Sequence, residues 1–144
     1  VASSTGRLIR LAVNEANLPL MGRNAQGPVL LRLLPGEAVV GAAGATEEGS
    51  VLLATAQGQL KRLAVASLRR CQRGDLGQIG LRFQERGDQL VDLRPGDGAL
   101  VAALLSDGRS TRLAGSSLEL EDDRSDGTSL SLSAGASLAE LVLL

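Results

Sequence analysis

The sequence predicts an all-β fold of propeller-like blades, in which one unit of about 50 residues is used three times. Three observations carry this prediction. Gly27, Gly77 and Gly127 stand 50 residues apart, each after a polar loop and before an apolar stretch. Each unit offers four short strand candidates, which is the arithmetic of a propeller blade. Glycines interrupt every window of helical length, and only Leu63 to Arg70 leaves room for a short turn of helix.

The units run over about 1–50, 51–99 and 100–144 of a single domain. Each opens with a strand candidate: Val1–Ser4, Val51–Thr55 and Leu100–Leu105. A turn follows at Thr5-Gly6, Gln57-Gly58 and Asp107-Gly108, where glycine accepts the positive φ of a tight hairpin. The return strand is the clearest match: Arg7–Leu11, Gln59–Leu63 and Arg109–Leu113. Alternation puts Leu60 and Arg62 on one face and Lys61 and Leu63 on the other. A third segment follows the second glycine, over Pro28–Leu33, Gln78–Phe83 and Thr128–Leu132. A fourth strand comes after a further turn, at Ala38–Val40, Gln89–Leu93 and Leu138–Leu141.

Composition narrows the function. The chain is 44% hydrophobic with no Trp, Tyr or His and a single Phe, so the core is aliphatic. Eighteen glycines in 144 residues exceed the usual ~7% and demand many turns. Without histidine, and with Cys71 alone, the common zinc sites and histidine-based triads are excluded. No disulfide can form within the chain, so a reduced, cytoplasmic setting is expected. No carboxylate pair has spacing suited to acid–base work, and no cofactor or metal is expected. No apolar run approaches the ~20 residues of a membrane helix. The chain opens on Val inside a repeat, which reads as a piece of a larger protein.

Charge is uneven. Residues 1–86 hold 11 Lys+Arg against 6 Asp+Glu, a net of +5, whereas residues 87–144 hold 4 against 10, a net of −6. Such asymmetry fits a nucleic-acid-binding part beside an acidic part, and equally fits ordinary surface variation.

The wording of the repeats is informative. Gly6-Arg-Leu-Ile-Arg-Leu11, then Met21-Gly-Arg-Asn-Ala-Gln-Gly27 and Val29-Leu-Leu-Arg-Leu33, together with Gly58-Gln-Leu-Lys-Arg62, resembles the C-terminal repeats of the DNA gyrase A protein and its topoisomerase IV relative. The resemblance is strong in the first two units and weak in the third. It implies a β-pinwheel, a disc whose blades exchange strands with their neighbours. It also implies a module that bends duplex DNA around a basic rim and presents it to a type IIA topoisomerase core. The catalytic tyrosine cannot lie in this chain, which has none. The implied partners are double-stranded DNA, the remainder of the parent polypeptide and its ATPase partner, in the cytoplasm at the nucleoid. The family's box, Q-R-R-G-G-x-G, has its nearest match in Gln72-Arg73-Gly74-Asp75-Leu76-Gly77, which keeps Gln72, Arg73 and the closing glycine but places Asp75 in the loop.

Wrapping without sequence reading requires phosphate neutralisation along a track. The candidate contacts are Arg7, Arg10, Lys61 and Arg62 on the return strands, Arg69, Arg70 and Arg73 in the second-unit loop, and Arg23 between Gly22 and Gly27. Arg10, Arg62 and Arg112 recur at one position in all units, which fits DNA contact and equally a structural arginine that pairs with a carboxylate or caps carbonyls between blades. Arg32 and Arg82, within strand candidates, read as solvent-facing and are set aside. The acidic run Glu119–Asp126 opposes DNA, either as a solvated loop or as an element tuning the rim. Glu47-Glu48 reads as a linker between units. A protein-interaction propeller with no DNA role is the alternative function. A partial disc exposes strand edges, so self-pairing is expected, with Leu138–Leu144 as the candidate swapping strand.

Overall fold

The computed structural model describes all residues from Val1 to Leu144. The first unit supplies β1 (Ala2–Ser3), β2 (Arg7–Leu8) and β3 (Val39–Gly41). The second supplies β4 (Ser50–Thr55), β5 (Gln59–Ala64), β6 (Gln78–Ile79) and β7 (Leu90–Pro95). The third supplies β8 (Leu100–Leu105), β9 (Ser110–Ala114), β10 (Leu120–Glu121), β11 (Thr128–Ser129) and β12 (Leu138–Leu143). One helical turn falls where the sequence leaves room, as a 3₁₀ turn at Val65–Ser67. A second 3₁₀ turn, at the equivalent Gly115–Ser117, goes beyond the sequence-based expectation.

These strands form three sheets, ordered β3-β1-β2-β6, β10-β5-β4-β7 with β11 also on β5, and β12-β8-β9. The third segments do not stay with their own units. β6 crosses to the first unit and pairs with β2, and β11 crosses to the second and pairs with β5. Each of these two blades therefore borrows its outer strand from the unit that follows. The first unit's third segment forms no strand, because these 144 residues hold no earlier return strand for it; Leu31 makes one isolated bridge to Asp75.

The tail behaves otherwise than expected. β12 pairs with β8 of its own unit from Leu138 to Leu143 and is not a swapping strand. Its Leu138 and Leu141 are buried in the core, which holds it home.

Two aliphatic cores lie between consecutive sheets. The first gathers Leu8, Val51, Leu53, Leu63, Leu81 and Leu93, and the second Leu52, Ala54, Leu60, Val101 and Leu141. β4 alternates between them, Val51 and Leu53 one way and Leu52 and Ala54 the other, so all six of its residues are buried. Leu60 and Leu63 of β5 likewise enter opposite cores, as period-2 alternation requires.

The 50-residue glycine ladder has unequal rungs. Gly77 and Gly127 take φ of +70° and +75°, and a Cβ on either would strike the carbonyl of Leu8 or Leu60 on the neighbouring return strand. At these rungs the crossing arm meets the next blade too closely for a side chain. Gly27 has neither constraint, because its arm crosses nothing.

Candidate nucleic-acid interface

Each crossing arm brings residues of two units together on the rim. Gly74 donates its N–H to the Leu30 carbonyl at 2.8 Å, and the Arg32 N–H donates to the Asp75 carbonyl at 3.0 Å. This places Arg73 and Arg32, both exposed, at one junction. Fifty residues on, Arg82 Nη1 donates to the Arg124 carbonyl at 3.3 Å, placing two more exposed arginines at the equivalent junction. None of these four makes an ion pair with a carboxylate. Strand pattern alone sets Arg32 and Arg82 aside and gives no reason to consider Arg124. The available signal is the 50-residue spacing of Arg32 and Arg82, whose meaning depends on where the arms land.

Two of the expected contacts are removed by burial. Lys61 has no solvent-exposed surface. Its ammonium donates to the Gly80 carbonyl at 2.8 Å and to the Ser125 carbonyl. Burial lowers its pKa, while Glu121, Asp126, Asp122 and Asp123 act the other way through their charge. The acidic run therefore lies on β5 around a buried lysine, with Leu120 opposite Arg62. Three of the four carboxylates that steady the ammonium, Asp122, Asp123 and Asp126, fall in the loop between β10 and β11.

Arg7 is also buried, and it pairs with Glu37. Its guanidinium donates to the carbonyls of Leu76, on the incoming arm, and Arg32, at 3.0 Å, on its own unit. Arg7 beside Glu37 holds that carboxyl down to about 2, assisted by Thr5 and the Leu34 N–H. Gln59 repeats the arrangement one unit later. Its Nε2 donates to the Arg82 carbonyl at 2.8 Å and to the Asp126 carbonyl at 2.6 Å. The first residue of the return strand is thus a latch for the arm, a role that the differing side chains Arg and Gln conceal in the sequence.

The recurrent arginine position is engaged structurally in two units. Arg10 Nη1 reaches the carbonyls of Val65 at 3.3 Å and Leu68 at 3.0 Å, tying the first unit to the second, and Nη2 lies 3.7 Å from Glu47. Arg62 donates to Ser50 Oγ at 3.0 Å and pairs with Asp97 at 3.3 Å. Hydrogen bonds from Ser50 and then from Arg62 hold the Asp97 pKa below its usual value. Arg112 is exposed and unpaired. Glu47 is more than a linker residue, since it bridges Arg10 and Arg70.

The second-unit loop remains open to solvent. Arg69, Arg70 and Arg73 are exposed; Arg69 Nη2 donates to the Gly77 carbonyl at 2.9 Å, and Arg73 has no partner. Asp75 accepts from the Gln72 N–H at 3.0 Å and so closes its own turn. Gly74, at φ +86°, supplies the bend. Arg23 is exposed and unpaired on the first unit's free arm.

A family model described as the DNA gyrase C-terminal domain, β-propeller, matches residues 1–44 and 49–104. Among curated proteins, the A chain of DNA topoisomerase 4 from Synechocystis sp. is 34% identical over 93 residues, which are 65% of this chain and 10% of that protein. The chain thus spans a small part of that relative's length. Among solved structures, the C-terminal domain of DNA topoisomerase IV superposes with a TM-score of 0.85 at 15% identity, over 99% of this chain and 45% of that one. The E. coli ParC C-terminal domain gives 0.67 at 20% identity, over 99% of this chain and 60% of that one. The DNA gyrase A C-terminal domain gives 0.57 at 11% identity, over 99% of this chain and 64% of that one. At these identities the superpositions speak for the β-pinwheel fold alone.

Proposed function

The chain belongs to the DNA gyrase C-terminal domain family, and on that premise we propose that it binds and bends duplex DNA without reading its sequence. It is a non-catalytic module of the DNA-cleaving polypeptide of an ATP-dependent type IIA topoisomerase. It works in the cytoplasm beside the rest of that polypeptide and its ATPase partner. The observation that carries this reading is the repetition of exposed arginines without an ion-pair partner at equivalent arm junctions, Arg32 with Arg73 and Arg82 with Arg124, although Arg124 sits within the acidic run and donates its backbone N–H to Asp122 at 2.9 Å.

Arginines at a fixed repeat suit a phosphate track. Each neutralised phosphate releases counterions, and the gain recurs with every blade. Bending a 20–30 bp site costs about 1–6 kcal/mol, so several contacts must act together. Arg69, Arg70, Arg73 and Arg23 extend the track across the second and first units, and Gln72, Gly74 and Gly77 shape the loop that presents it. Arg10 and Arg62 act mainly as ties between strands and units.

The deciding experiment measures binding to a duplex of about 150 bp, one persistence length, at two salt concentrations. A steep loss of affinity with salt supports the track. Absence of binding at low salt overturns it and leaves the protein-interaction propeller, for which the acidic arm Glu119–Asp126 is the favouring observation.

A further inference from the structure

We propose that the buried side chains of Arg7, with its partner Glu37, and of Gln59 are positioning residues for DNA: they touch no phosphate, and they fix the spacing of the exposed arginines at each arm junction. This rests on the reading of the chain as a DNA-binding module.

Both grips fall on the same two carbonyls of the repeat. Arg7 donates through Nη2 to the Arg32 carbonyl at 3.0 Å and through Nη1 to that of Leu76. Gln59 donates through Nε2 to the Arg82 carbonyl at 2.8 Å and to that of Asp126 at 2.6 Å. Arg82 lies 50 residues after Arg32, and Asp126 lies 50 after Leu76. One gripped carbonyl in each pair belongs to an exposed arginine. The other lies on the arm that carries the second arginine, Arg73 or Arg124.

The grip holds backbone on both sides of the junction. Arg32 donates its N–H to Asp75 at 3.0 Å while Arg7 holds its C=O, so both its main-chain polar groups are engaged. At the second junction Gln59 Oε1 also accepts the Gln84 N–H at 3.1 Å, so one amide binds the chain before and after Phe83 as well as the incoming arm.

The two grips differ in charge and agree in geometry. A buried guanidinium needs a counter-ion, and Arg7 Nε donates to Glu37 Oε1 at 2.9 Å. Neutral Gln59 needs none. The carboxylate that follows the turn glycine in the second unit, Asp88, accepts the N–H groups of Gln57 and Gln89 on Oδ1, and its buried Oδ2 has no partner. The junction thus keeps its two held carbonyls while the charge of the gripping group changes, which points to spacing as the property held.

Arg7 is 8% exposed and Gln59 3%, so neither side chain is presented to a phosphate. What they supply is order. An arginine on backbone held at both sides of a junction is in place when DNA arrives. On a loosened arm it must be ordered at binding, at a cost in affinity. The phosphates contacted stay the same, and so does the salt dependence.

Fluorescence anisotropy of the 144-residue chain with a duplex, across a salt series, tests this. Arg7→Met with Glu37→Gln removes the first grip without changing net charge, and Gln59→Leu removes the second. Each is read where its far-UV spectrum is that of the parent. Each should lower affinity about tenfold, the cost of ordering two arginine side chains, with an unchanged slope of log K against log salt. Arg7→Gln with Glu37→Gln copies the second unit's grip and should return affinity to the parent's. The loss in Gln59→Leu should vanish when Arg82 and Arg124 are already Ala, which a general loss of stability would not do. Parental affinity in the folded grip variants overturns the proposal, as does a loss that persists in the alanine background. A slope lowered by about 1 makes the residue a direct phosphate contact and overturns it too, and so does an Arg7→Gln, Glu37→Gln protein that binds no better than the Met variant. A parent that binds no DNA at low salt overturns the DNA reading itself, and this proposal with it.

Discussion

The ammonium of Lys61 donates to the carbonyl of Gly80 at 2.8 Å from a side chain that never reaches solvent. Glu121, Asp122, Asp123 and Asp126 of the next unit face it. Lys61 is thus a cross-blade fastener. Lys61→Met leaves the Gly80 and Ser125 carbonyls without their donor and is expected to cost about 1–3 kcal/mol. Lys61→Glu sets a buried negative charge among carboxylates and is expected to cost at least about 3–5 kcal/mol. Urea denaturation measures both. DNA affinity of the folded Lys61→Met protein stays that of the parent, and a tenfold loss would return Lys61 to the interface.

Phosphate contact predicts a different response at the arm junctions. Arg73→Ala and Arg82→Ala should each weaken DNA binding whatever the duplex sequence, and each should reduce the slope of log K against log salt by about 1. Arg62→Ala should lower stability through Ser50 and Asp97 while leaving the slope close to the parent's. Fluorescence anisotropy across a salt series reads all three. Unchanged slopes for both junction variants would remove the track.

Acid should loosen the first blade. Glu37 titrates at about 2 in the folded protein against an ordinary 4.5. A depressed carboxyl pKa contributes stability above the unfolded value, and that contribution is lost as pH falls from about 4.5 toward about 2. Stability measured by urea midpoint should decline through this window, and Glu37→Gln should flatten the decline. The same slope in both proteins would place the acid sensitivity elsewhere.

The glycine ladder predicts a contrast between two chemically identical changes. Gly77→Ala forces a side chain into positive φ and against the Leu8 carbonyl, at an expected cost of about 1–3 kcal/mol. Gly27→Ala meets nothing within 4 Å and has ordinary φ. It should be neutral or slightly stabilising by up to ~1 kcal/mol, because alanine restricts the unfolded chain more than glycine. Equal effects at the two rungs would mean that the crossing at Gly77 is not close.

Much of this architecture was legible in the order of residues. The 50-residue glycine spacing, the hairpin turns at Gly58 and Gly108 and the alternation across Gln59–Leu63 depend on local backbone geometry and period-2 patterning. Those are properties of consecutive residues. The same wording carried the likeness to gyrase-type repeats.

Which side chains face solvent was decided elsewhere. Lys61 and Arg62 are neighbours with like charge, yet one is sealed beneath an acidic arm and the other is half-buried at Ser50. Arg7 and Arg73 look alike in sequence, but one latches an arm and the other rides on it. Each of these outcomes is set when an arm from the following unit lands on a return strand, displacing water from some groups and leaving others wet. The order of residues by itself determined the unit, its turns and its alternating faces, because those are short-range. Only the tertiary structure decided which arginines are available to a phosphate, because strand exchange between units is a long-range contact that buries Lys61 and Arg7 against an incoming arm and leaves Arg73 and Arg82 exposed.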